Sequence, residues 1–175
     1  MSGNNNCQNC HTLKAACDEA FHTYPKSCSH AVWHVIRKYV YDQPYLTANN
    51  LLQVVGRSPK WQEVQIHELA QLANDGVLVI GGAVDSPHGH VIVVYPGQPK
   101  SDGGYTYISR NGESKIMPGH GVYPLAMSTS MGSWPGAKNK GNLTVRDSWS
   151  REKFEGVRFF KYVGTPYSTA TGLGN

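Results

Sequence analysis

Hydrophobic periodicity changes character once along this chain, near Gly76, and that change constrains the fold more than any other feature. Before it, apolar residues recur in steps of three and four. Leu13, Ala16, Cys17, Ala20 and Phe21 mark a helix over 8–24, and Val32, Val35, Ile36, Tyr39 and Val40 mark a second over 27–40. Tyr41-Asp42-Gln43-Pro44 ends the second helix. Thr47 caps a third that runs to Val55 and is broken by Ser58-Pro59, and an amphipathic pattern over 63–73 predicts a fourth. After the turn Asn74-Asp75-Gly76 the pattern becomes β-branched and strand-like, with strands expected at 77–81, 90–95, 105–109, 122–128, 142–146 and 157–163. Helices first and strands after predict an α+β fold, with N-terminal helices packed on a mainly antiparallel sheet that closes on the second helix. A chain of 175 residues is one domain with room for a real core. The ordered core is expected over about 7–163, and the polar, Gly-rich stretch 165–175 is expected to be loose.

The second helix carries the chemistry. Pro25 keeps the approach extended, Ser27 caps, and Cys28 falls in the first turn, among unpaired N–H groups at the positive end of the helix dipole. A thiol placed there ionises more easily than a free one. The alternative is that Cys28 is one more buried small residue. Sixty-two positions on, His90 opens the apolar run Val91-Ile92-Val93-Val94-Tyr95, which Pro96-Gly97 closes. A strand end lets the imidazole project into a cleft, and Gly89 permits close approach of another backbone. Cysteine on a helix N-terminus with histidine on a strand edge is a papain-like pair: the imidazole takes the thiol proton and later returns one to a leaving amine. The alternative for His90 is a structural histidine.

Cys28-Ser29-x-x-Val32 on a helix followed by Gly89-His90-Val91-x-Val93-Val94 on a strand resembles the NlpC-type cell-wall cysteine peptidases. Within that superfamily the sequence is most similar to the type VI secretion amidase effectors, small toxins that cut peptidoglycan peptides. Thr47-Ala48-Asn49-Asn50-Leu51-Leu52 with Trp61 resembles that group's middle segment, and 76–82 its first core strand. Tyr123-Pro124, Met131-Gly132-Ser133 and Trp149 resemble its closing strands, so the likeness spans roughly 7–163. It implies a single catalytic domain of papain-like (NlpC-type) fold and a Cys28–His90 pair without cofactor or metal. It implies cleavage of bacterial wall stem peptides between γ-D-glutamate and meso-diaminopimelate, with the diaminopimelate–D-alanine cross-link as the alternative bond. It also implies a peptidoglycan substrate, delivery without a cleaved signal peptide into the periplasm of a target cell, and a cognate immunity protein. Some relatives staple the N-terminal region to a C-terminal cysteine; no cysteine follows residue 28 here, so that staple is excluded.

A papain-like histidine needs a group to orient its far nitrogen. The resemblance, taken on Tyr123-Pro124 and Gly132, implies Ser128 as the third catalytic residue; Ser109, Asn111 and His120 are the other candidates by composition. His88, two residues from His90, shares its face if both lie on the strand, and either substitutes for it or binds substrate. Trp61 either packs under the site or lines the substrate groove. Lys26, Arg110 and Lys115 are candidates to meet substrate carboxylates.

Cys7-x-x-Cys10 is half of a zinc motif whose second pair is missing, and Cys7, Cys10 and Cys17 are candidates for a disulfide in an oxidising compartment. A net charge of +4 suits an anionic polymer or plain solubility, and no Lys/Arg cluster marks a nucleic-acid site. No apolar run approaches the roughly 20 residues of a membrane span, and the polar N-terminus lacks a signal peptide's apolar core. A monomer is expected. Two readings stand beside the amidase: a housekeeping or phage-type wall hydrolase, and a non-catalytic module that stacks sugars on Trp33, Trp61, Trp134 and Trp149. A zinc-stabilised interaction domain built on Cys7, Cys10, His11 and Cys17 is a third.

Overall fold

The computed structural model describes residues 8–164; Cys7 and the stretch 165–175, on which expectations were placed, lie outside them. Helix α1 (Gln8–Thr23) buries Leu13, Ala16, Cys17 and Ala20 along one stripe. Helix α2 (Cys28–Ile36) begins at extended Ser27 and buries Ala31, Val32, Val35 and Ile36. It stops short of the expected Val40: Lys38 and Tyr39 donate to Val35 and Ile36, three residues back, and the chain tightens into turns. Helix α3 (Ala48–Arg57) buries Ala48, Leu51, Leu52 and Val55, at steps of three, four and seven from the first.

The helix expected over 63–73 is a correction. Trp61–Val64 is instead a strand, β1, and only Leu69–Asn74 is α-helix, α4, entered through a single turn of 3-10 helix at Ile66–Glu68. A reciprocal cap between Gln65 and Glu68 sets the helical start there, and Val64 is buried where β1 pairs with the last strand. Partner strand availability overrode local helical periodicity.

The remaining strands are β2 (Val79–Ala83), β3 (His90–Ser101), β4 (Tyr105–Ile108), β5 (Ser114–Met117), β6 (Val122–Ser128), β7 (Asn139–Thr144) and β8 (Arg158–Tyr162). A short helix, α5 (Arg151–Phe154), precedes β8. Six strands form one sheet in the order β1-β8-β2-β3-β6-β7, with every neighbouring pair antiparallel. The fold is therefore α+β with an antiparallel sheet. Strands β4 and β5 form a separate hairpin.

Pro96-Gly97 does not end β3, contrary to expectation. The strand continues to Ser101 through a register shift between Tyr95 and Lys100. The Asn74 side chain supplies the missing partner, accepting the Gly97 N–H at 2.8 Å and donating to its carbonyl at 3.3 Å. Val91–Val94, Val79 and Ile80 are fully buried and join the helical stripes in one core. Each such aliphatic side chain contributes about 2 kcal/mol on burial.

Cys17 is a free thiol inside that core, its pKa pushed up by burial and by neighbouring Asp18. Among the described residues, no three His, Cys, Asp or Glu side chains come together as a metal site, and no helix is long and apolar enough to cross a membrane.

Candidate active site

Cys28 is the first residue of α2. Ser27 caps the helix by accepting the His30 N–H at 3.4 Å, and its hydroxyl also meets His30 Nδ1 at 2.7 Å. The His30 ring stacks on Tyr45 at 4.0 Å and on Tyr24 at 5.3 Å, and Ser29 Oγ shares a hydrogen bond of 2.7 Å with the Tyr45 hydroxyl. The residues on both sides of the thiol are thus braced by side chains, which holds Cys28 at the lip of a cleft of about 1170 Å³.

His90 lines the same cleft. It opens β3 opposite Ala83 of β2. Val93 pairs with Met127 across β3 and β6. One step on, the register sets Ser128 beside Ile92, and His90, two residues back along β3, shares that face. The consequence is a 2.9 Å hydrogen bond between His90 Nε2 and Ser128 Oγ, with Ser128 only 1% exposed. Trp149, 4% exposed, packs edge-on against the imidazole at 5.1 Å and 68°. The ring is held by a polar contact at Nε2 and by an aromatic wall.

Burial dominates the electrostatics. It pushes the Cys28 thiol above its ordinary value, outweighing the N–H groups of Val91, Ser29 and Cys28 itself that favour the thiolate. The expectation of an easily ionised thiol is corrected for the free protein on this ground. Burial likewise pushes His90 down to about 4. At both residues burial favours the neutral form.

The other sequence candidates fall in different places. His88 lines the cleft but sits in the connection before β3, not on the strand with His90. Trp61 is on β1, its ring edge against Tyr162 at 5.2 Å, and is not among the cleft residues. His120 is bonded to Asp102 at 2.9 Å and to Arg146 at 3.3 Å, while Ser109 and Asn111 lie at the tip of the β4–β5 hairpin. Lys26 lines the cleft. Arg110 instead donates to the Met131 carbonyl at its rim, and Lys115 is exposed on β5.

Sequence reasoning missed the support behind Trp149. Arg146, buried, donates to the Trp149 carbonyl at 2.8 Å, lies over the Phe154 ring at 4.9 Å and reaches His120. Asp102 accepts from the N–H groups of His120 and Gly121 and from the His120 ring. Burial opposes ionisation of Asp102, yet these donors together hold its carboxyl below the ordinary range. Asp147 gathers donors from Gly103, Tyr105 and Thr144. Thr144-x-x-Asp147, a readable capping box, was the one available signal. No protein-family model matches the chain, and no curated protein matches it in sequence.

Proposed function

We propose that this protein is a peptidoglycan amidase, a cysteine endopeptidase of papain-like (NlpC-type) fold. The observation that carries the reading is the joint presence in one cleft of Cys28 at a capped helix N-terminus and His90, whose far nitrogen is bonded to Ser128. In this mechanism His90 Nδ1 takes the thiol proton as Cys28 sulfur adds to the amide carbonyl carbon. The Cys28 backbone N–H stabilises the oxyanion. Collapse breaks the C–N bond, and the imidazolium gives its proton to the departing amine. Water, deprotonated by the same nitrogen, then cleaves the thioester, and the proton returns to sulfur. Ser128 keeps the ring in register.

The sequence resemblance supplies the substrate: the γ-D-glutamate–meso-diaminopimelate bond of bacterial wall stem peptides, cut in the periplasm of a target cell. In this reading it also supplies the partner, a cognate immunity protein that blocks the cleft. For the sugar-stacking alternative, Trp134 and Trp149 line the cleft while Trp33 and Trp61 do not. Trp33 and Trp134 donate their indole N–H groups to the Gln43 and Asp147 carbonyls, Trp149 is buried, and Trp61 packs on Tyr162.

The test is digestion of purified diaminopimelate-type peptidoglycan, read by chromatography and mass spectrometry. New stem-peptide fragments are expected from the wild type and from neither Cys28→Ala nor His90→Ala. Ser128→Ala should retain activity at a rate lower by about tenfold or more. A folded wild type that releases no fragments rules the amidase out for this substrate.

A further inference from the structure

The connection between β2 and β3, residues 84–89, brings a charge pair to the cleft. Asn49 of α3 donates to the Asp85 carbonyl at 2.9 Å and accepts the Asp85 N–H at 3.2 Å, a two-bond strand-like pairing made by a side chain. The Ser86 N–H then holds Asp85 Oδ1 at 2.8 Å. The other carboxylate oxygen, Oδ2, meets Lys153 Nζ of α5 at 2.7 Å. Both residues line the cleft with Cys28 and His90; the other charged residues along it are Lys26 and Glu152, with His88. The side chains of Lys153 and Asp85 are 62% and 41% exposed, so a solute reaches them freely. Asp85 lies two residues beyond Ala83, the partner of His90, which is no more than about 7 Å of chain.

An exposed pair of this kind adds only about 0–1 kcal/mol to stability, so a charged ligand exchanges into it at little cost to the fold. A ligand bearing one charge engages the pair only by leaving a partner unmatched. A lone ammonium on Asp85 displaces Lys153, and a lone carboxylate on Lys153 displaces Asp85. A carbon bearing both ammonium and carboxylate satisfies the two side chains at once and keeps the charge balanced. We propose that Asp85 and Lys153 form a specificity subsite for the zwitterionic α-amino-acid end of a substrate side chain, a short spacer away from the scissile amide. This rests on the amidase reading. Within it, the subsite separates diaminopimelate, whose side chain ends in such a zwitterion, from lysine, which ends in an ammonium alone.

The experiment compares kcat/KM of the full-length protein on two synthetic stem peptides that differ only in carrying meso-diaminopimelate or lysine at the third position. The wild type is expected to favour the diaminopimelate peptide by about tenfold or more, the scale of one charge-assisted contact. Lys153→Met, which removes the partner of the carboxylate, should bring that ratio to within about twofold of unity. Asp85→Asn should lower both peptides, since both carry the ammonium. A ratio unchanged in Lys153→Met overturns the subsite and leaves the amidase standing. A wild type that cleaves neither peptide overturns the amidase reading and the subsite with it.

Discussion

His90 shows how one side chain's surroundings set both its chemistry and its contribution to stability. Desolvation pushes its pKa down to about 4, while an unfolded histidine titrates near 6.5. Between those values the unfolded chain holds a proton that the folded chain refuses, so stability is full above about 6.5 and is lost as pH falls toward 4. The loss from this one group is on the order of 3 kcal/mol. Urea denaturation at a series of pH values should show the wild type weakening through that window, and His90→Gln weakening less. Parallel curves for the two proteins would contradict this assignment. Cys28 and His90 were legible in the sequence because each sits at an element end beside its own local signal. Ser128 depended on the resemblance. Its hydrogen bond to His90 follows from the β3–β6 register, which links residues 38 positions apart.

At the scale of elements, the connection over 84–89 is fixed by one residue of α3. Asn49 makes both backbone bonds to Asp85, and Gly89 passes so close that a Cβ there would collide with Asn49 Oδ1 and the Ala83 carbonyl. Asn49→Ala should cost about 1–2 kcal/mol and speed amide exchange at Asp85, measured by hydrogen exchange, with the α1 core unaffected. Protection at Asp85 equal to wild type would refute this role. Helices α1 and α3 followed their apolar stripes as expected. The start of the helix expected over 63–73 did not, because Glu63 and Val64 pair instead with an open edge on β8, which no local pattern reveals.

Across the whole molecule, the cleft is assembled from three distant stretches: the start of α2 with α3, the β2–β3 connection, and the segment that follows β6 through α5. Buried Arg146 braces the last of these through the Trp149 carbonyl and the Phe154 ring and links it to His120, which is bonded in turn to Asp102. Removing its guanidinium leaves the Trp149 carbonyl without its donor and takes the cation from the Phe154 ring. Arg146→Met should therefore destabilise the fold by about 2 kcal/mol, read as a lowered denaturation midpoint. A midpoint within about 0.5 kcal/mol of wild type would show the network to be dispensable.

The sequence by itself determined what depends on neighbours along the chain: the capped helix that starts at Cys28, the strand that starts at His90, and the single change from helical to extended periodicity that makes the fold α+β. Period and capping are local physics, and they were readable. Tertiary structure alone decided the strand order, the passage of β3 beyond Pro96-Gly97, the contact of His90 with Ser128 and Trp149, and the raised thiol pKa. Each of these depends on which surfaces are removed from water together and on which distant partner completes a hydrogen bond, and neither quantity is written in any one stretch of the chain.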